Sequence, residues 1–249
     1  MSHLNPSTVM IFLNLLMIAY TLWVLGLAGV SIRLRASLGG GAFLWLGCLH
    51  WGLSTHSLFP EAIPGPVFLG IIVAFVGLVG ALFLLTPARV LMDRLDQEHL
   101  LLLQGIRVFF GGAFLMQAAL GTLPQTFGIL DGFTHITAGA LGLWAAALHL
   151  GGRYGSTPVW VCNIFGLVDI LIVASTLALV LLDTLTPHHN MMYAVFLPAP
   201  VWMLTHFVSI RRSLVSPGAH GTTPDQFVVS PDSKPSSKKL AGLVDVPSS

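Results

Sequence analysis

The chain has 249 residues, of which 55% are hydrophobic and 8% charged, with a formal net charge of +1. A globular domain carries roughly 25% charged residues, so this chain lacks the polar side chains to clothe a water-facing surface. The near-neutral balance gives no electrostatic footprint for nucleic acid. The expected fold class is an all-α bundle of membrane-crossing helices.

A bilayer core needs about 20 mainly apolar residues per helix. Seven segments reach that length: Ser7–Val30, Gly41–Pro60, Ile63–Pro87, Leu101–Gly121, Phe127–Leu150, Pro158–Asp183 and Asn190–Arg212. Before the first, Met1–Pro6 holds neither Lys nor Arg, so that segment reads as an anchor rather than a cleaved leader. The second is the most polar, with His50, Ser54, Thr55 and His56. The seventh contains Pro198 and Pro200, which lack an N–H and predict a kink that frees carbonyls near Ala194 and Phe196. Such a break either bends the helix or lines a cavity. Residues 1–212 therefore read as a transmembrane domain. Residues 213–249, rich in Ser, Pro, Gly and Lys, read as a disordered cytoplasmic tail. Cys48 and Cys162 both sit in apolar runs, which predicts packing residues rather than a disulfide.

Basic residues gather on the cytoplasmic side of membrane proteins. Ten of the eleven Lys and Arg fall in alternate connections: Arg33 and Arg35, Arg89 and Arg94, Arg153, then Arg211, Arg212, Lys234, Lys238 and Lys239. The expected topology has the N-terminus outside and the C-terminus in the cytoplasm. The eleventh, Arg107, lies inside the fourth segment.

An ionisable group at membrane depth is costly and needs a partner or a function. At 1.5 Å per residue, Gln104 lies ~5 Å and Arg107 ~9 Å inside the cytoplasmic interface, with Asn163 at ~8 Å, His206 at ~9 Å and Asp169 at ~17 Å. Gln104 and Arg107 share a helix face, as do Gly166 and Asp169. Arg107 is long enough to reach Asp169 or to snorkel to the interface; an Arg107–Asp169 interaction is the hypothesis, because either charge alone would be expensive there. Gln104, Arg107, Asn163, Asp169 and His206 form the candidate ligand-binding set.

A second polar group lies toward the outside. Asp131 and His135 are four apart on the fifth segment, and His56 ends the second on the same side. Asp and His at this spacing can bind a metal, which makes His56, Asp131 and His135 the candidate metal set; polar packing is the competing reading. For haem, the candidate axial pairs are His56 with His135 and His149 with His206. His50 has no evident partner. Every lysine lies in the tail, so no span can form a retinal Schiff base.

The second half also carries a series of short motifs. They are Gln104-Gly-Ile-Arg107, Gly112-Ala-Phe-Leu115, Gly121-Thr-Leu-Pro124 with Phe127, Asn163-Ile-Phe-Gly166-Leu-Val-Asp169, and Pro200-Val-Trp-Met-Leu-Thr-His206 with Ser209-Ile-Arg211. In order and spacing this stretch, about 101–214, resembles a family of uncharacterised bacterial multi-pass membrane proteins. The resemblance implies a multi-helix fold in a bacterial cytoplasmic membrane and points to the same five residues, with no established activity. That family has a Gly-Asp pair after the Leu-Pro turn. Here the stretch reads Gly132-Phe-Thr-His135, so the aspartate is missing or replaced by His135.

Three functional readings follow. The first is binding or transport of a small anion, a lipid headgroup or a proton through the Arg/Asp/His layer. The second is a haem- or metal-binding membrane oxidoreductase. The third is a non-catalytic scaffold or accessory subunit. The cofactor and the oligomeric state are left open.

Overall fold

The computed structural model describes residues 5–85, 89–153 and 155–215, without the side chains of Arg89, Val90 and Asp93. The described residues are helical, with no strand among them. The described residues fall in one compact unit. The tail expected from Ser213 falls outside the described residues, apart from its first three, which extend the last helix.

α1 (Pro6–Leu27) starts on a capped end: Pro6 needs no N–H there, and Asn5 Oδ1 accepts from Ser7 N at 2.9 Å. Gly29, at φ +73°, turns the chain into α2 (Ile32–Ser54), with Ser31 as its cap. α2 therefore begins before Arg33 and ends six residues short of Pro60, displaced from the span drawn by apolarity alone. α3 (Gly65–Leu85) buries only Phe68 and Ile72. Two short helices follow, α4 (Arg89–Arg94) and α5 (Gln97–Leu102). Then come α6 (Arg107–Ala119), α7 (Gln125–Leu150) and α8 (Ser156–Thr176). α8 runs through a π-helical turn, Leu177–Leu181, into α9 (Leu182–Leu185). α10 (Met192–Phe196) and α11 (Pro198–Val215) complete the chain.

Five helical stretches are long and apolar enough to cross a membrane: Pro6–Leu27, Gly65–Leu85, Gln97–Ala119, Gln125–Leu150 and Ser156–Leu185. α2 is long enough, but its two arginines and its polar residues dilute it. α10 and α11 form an interrupted rod. Their break falls at Leu197, with φ −131° and ψ −62°. Pro200 has no N–H to offer the Phe196 carbonyl, and Trp45 Nε1 of α2 supplies the bond instead at 2.7 Å.

The fourth segment is also interrupted. Between α5 and α6 the backbone tightens into i→i+3 bonds, among them Gly105 N to Leu102 O at 2.8 Å and Arg107 N to Gln104 O at 3.1 Å. Tyr20 of α1 donates its hydroxyl to Leu102 O at 2.7 Å. The tighter turn re-aims Gln104 and places Arg107 on the first turn of α6.

α6 and α7 pack backbone to backbone. A Cβ on Gly111 would press on the Gly132 carbonyl and on Ile136, and one on Gly132 would meet Leu115 at 2.6 Å. Further along the pair, a Cβ on Gly139 would stand 2.8 Å from Val108 and one on Gly142 2.7 Å from Gln104. Glycine is required at these positions because the helices approach too closely for any side chain.

The distribution of polarity is inverted. The outward faces carry Leu44 at 71% exposure, Val73 at 62% and Leu171 at 57%. The interior holds Asn14, Gln104, Arg107, Gln117, Asp131, Asn163 and Asp169, each buried. Cys48 and Cys162 are free thiols, the first exposed and the second buried.

Candidate functional site

A run of buried polar groups links α5, α11, α8, α6 and α7. Gln97 Nε2 donates to Ser209 Oγ. Asn163 Nδ2 donates to the same hydroxyl at 2.7 Å. Its other end, Asn163 Oδ1, lies 2.9 Å from His206 Nδ1. An amide oxygen only accepts, so His206 carries its hydrogen on Nδ1. Nε2 is then the acceptor for Arg107 Nη1 at 3.3 Å, and the imidazole is neutral. Arg107 Nη1 also reaches Gly166 O at 3.4 Å, and Nη2 donates to Asp169 Oδ2. The guanidinium carbon stands 5.0 Å from the Trp202 ring centre. Beyond Asp169, His135 Nδ1 lies 3.2 Å from Asp169 Oδ2 and 2.9 Å from Asp131 Oδ1.

Local sequence explains the convergence. Gly166, one turn before Asp169, leaves the space that His206 fills; a Cβ there would strike the imidazole and stand 3.1 Å from Arg107 Nη1. Trp202, Thr205, His206 and Ser209 recur at helical spacing and put one face of α11 into the interior. Gln104 Nε2 donates to Thr205 Oγ1 at 2.5 Å as a side branch. Arg107 and Asp131 are fully buried, with His206 at 1%, His135 at 4% and Asp169 at 5% exposure. Asp131 Oδ2 and Asp169 Oδ1 have no hydrogen-bond donor among the described residues.

All five residues of the candidate ligand-binding set thus lie in one interior layer: Arg107, Asp169, Asn163 and His206 are bonded in series, and Gln104 is tied to Thr205. The metal set is only partly assembled. Asp131 and His135 are together, but the third member of that group is Asp169; the ligand atoms of these three lie within 4.8 Å of one another. His56 is not in this group; it is exposed just past the end of α2, at a positive φ of 57°. Its ring stacks on His188 of the Thr186–Met191 loop, with centroids 4.5 Å apart. The haem pairs are not presented either. His206 has both ring nitrogens engaged, and His56 and His135 have different partners. His50, unpartnered on the sequence, has its Nδ1 2.6 Å from the Tyr193 hydroxyl.

Gln97, Thr205 and Ser209 are parts of the chain that sequence reasoning missed. Gln97 fell outside a span whose start was drawn at Leu101 by apolarity. Thr205 and Ser209 were legible in principle, since they share the 3.6-residue face of His206.

The loop 186–191 is expected to respond to pH on its own. Burial, and then the nearby His56, hold the His188 imidazole below its ordinary value, against the Phe59 backbone and Glu61. Burial does the same to His189, whose Nε2 donates to Thr122 O at 3.0 Å. A histidine depressed in the folded state binds its proton more readily when unfolded. Stability from this loop is therefore present above about pH 6.5 and falls as the pH drops below it. The melting temperature is expected to fall from pH 8 to pH 5 (roughly the titration range of histidine). The His188→Gln, His189→Gln double variant should show a flatter profile; an unchanged profile would place the response elsewhere.

A family model for a domain of unknown function, DUF8737, matches residues 66–214. No curated protein matches the chain, and no solved structure does. The match runs from the start of α3 into the last turn of α11 and contains every residue of the buried polar chain. With more than half of its length inside that match, the chain belongs to the DUF8737 family.

Proposed function

We propose that the chain is a multi-pass membrane protein whose buried cluster of Asp131, His135, Asp169 and Arg107 binds a cation, the proton included, as ligand or cargo. The inverted polarity supports the membrane setting, since apolar surface outside and polar groups inside is the arrangement hydrocarbon requires. α2 and the interrupted α10–α11 rod would supply two crossings beyond the five apolar ones. Seven crossings would put the N-terminus outside and the C-terminus in the cytoplasm by the positive-inside rule.

The cation is argued from charge. The cluster holds two carboxylates and one guanidinium, all buried. These fixed charges leave one negative charge for a proton on the cluster or a bound cation to offset. Buried charge of this kind is expensive, and a bound cation removes the cost. The single observation that carries the reading is Asp131, fully buried, with an oxygen that no donor among the described residues satisfies. A small anion or a lipid phosphate fits less well, because Arg107 is already committed to Asp169 and Asp131 would repel a second anion. Arg107 acts as an internal competitor: it holds Asp169 when the site is empty and keeps Gly166 O and His206 Nε2 as alternative partners.

A ligand that binds only the folded state raises the melting temperature. The test is the melting temperature of the detergent-purified full chain in chloride salts of sodium, potassium, magnesium, manganese and zinc, and across pH at fixed salt. A rise with a cation, or as the pH is lowered in the His188→Gln, His189→Gln background, that Asp131→Asn removes is the expected result. A rise caused by phosphate at constant cation and retained by Asp131→Asn, or no response to any of these, would overturn the proposal. The scaffold reading expects that last outcome.

A further inference from the structure

The geometry points to a more specific occupant: we infer that Asp131, His135 and Asp169 are three protein ligands of one divalent transition-metal ion, with a fourth position open. The inference rests on the cation reading above and narrows its chemistry.

Three observations carry it. First, the ligand atoms all lie within 4.8 Å of one another. His135 Nδ1 is 2.9 Å from Asp131 Oδ1 and 3.2 Å from Asp169 Oδ2. Yet the His135 N–H is aligned with neither oxygen as a hydrogen bond requires. Groups that merely bonded to each other would turn to align. Groups arranged around a metal need not, and with bonds of about 2.0 Å a tetrahedral ion sets its ligands about 3.3 Å apart. Second, Asp131 is fully buried, its Oδ1 lies in the cluster beside His135 Nδ1, and neither of its oxygens accepts a hydrogen bond from a described residue. Third, the imidazole is fixed. Phe114 and Trp202 pack edge-on against it, with centroids 5.3 and 5.6 Å away. A rigid apolar surround of this sort orients a metal ligand and limits the entry of water.

The donor set chooses the metal class. Alkali ions and magnesium are served by oxygen, whereas an imidazole nitrogen favours zinc and its first-row neighbours. Two carboxylates neutralise a divalent ion. Arg107 is then the remaining positive charge beside it and favours an anionic group, such as hydroxide, in the fourth position. The outer-loop pair of His56 and His188 is a separate feature and takes no part.

The test uses the full chain in detergent, stripped with a chelator and titrated with cobalt(II) as the probe. Expected are visible d–d bands of a four-coordinate site, saturating at one cobalt per chain, and displacement of the cobalt by zinc. The bands should persist in the His56→Ala, His188→Ala double variant. His135→Gln should abolish them. His135→Cys should keep the metal and add a thiolate-to-cobalt charge-transfer band, a positive signal that a merely misfolded variant cannot give. Bands lost with the loop histidines and kept in His135→Gln would overturn the inference, as would the absence of bands in the native chain. If cobalt gives no bands while sodium, magnesium or pH still shifts melting through Asp131, the cation reading stands and the transition-metal assignment falls. If neither responds, both fall.

Discussion

Replacing Arg107 by methionine is expected to lower the free energy of unfolding by about 3–5 kcal/mol, the cost of leaving a buried charge without its partner. Arg107 is fully buried, and Nη2 is the donor to Asp169 Oδ2. Without the guanidinium, two carboxylates face each other across His135 with no fixed positive charge. His206 Nε2 also loses its donor, which adds about 1–3 kcal/mol if nothing replaces it. Adding Asp169→Asn to Arg107→Met should recover most of the loss, because the second substitution removes the orphaned charge. Reversible unfolding in mixed micelles, followed by tryptophan fluorescence, measures both. A single-variant loss under about 1 kcal/mol, the range of an exposed pair, would mean that Asp169 is satisfied without Arg107.

The second large effect is expected at Gly132, which carries no charge and touches no ligand. Gly132→Val should cost about 1–3 kcal/mol or more by overpacking, and should abolish the cation response of the native chain. A side chain at Gly132 meets Leu115 at 2.6 Å and the Gly111 carbonyl at 2.9 Å. Neither can move far, since α6 and α7 touch through their backbones along this stretch. The helices would separate, and α7 carries Asp131 and His135 away from Asp169 and Arg107. Gly112→Val on the opposite side of α6 meets nothing within 4 Å and serves as the control. Melting temperature and cation response measured on both variants decide the point. A Gly132→Val protein with native melting and an unchanged response would show that the α6–α7 approach does not position the site.

What the sequence determined by itself follows from local chemistry. Apolar run lengths marked the five long apolar helical stretches, because solvation of a helix face depends on its own residues. The expense of a buried charge singled out Arg107 and Asp169 and paired them before any geometry was known. Pro198 and Pro200 announced the break near Phe196, because a missing N–H is a property of the residue. The choice of partner was not local. Trp45 answers the freed Phe196 carbonyl from a residue 151 positions away, and Tyr193 does the same for His50. The metal set read from the sequence joined His56 to Asp131 and His135 because all three lie toward one side. Depth along a helix says nothing about rotation around it or about which helix stands opposite. Packing decided both: close glycine contacts set α7 against α6, the space at Gly166 admitted His206, and Asp169 rather than His56 came to face Asp131 and His135.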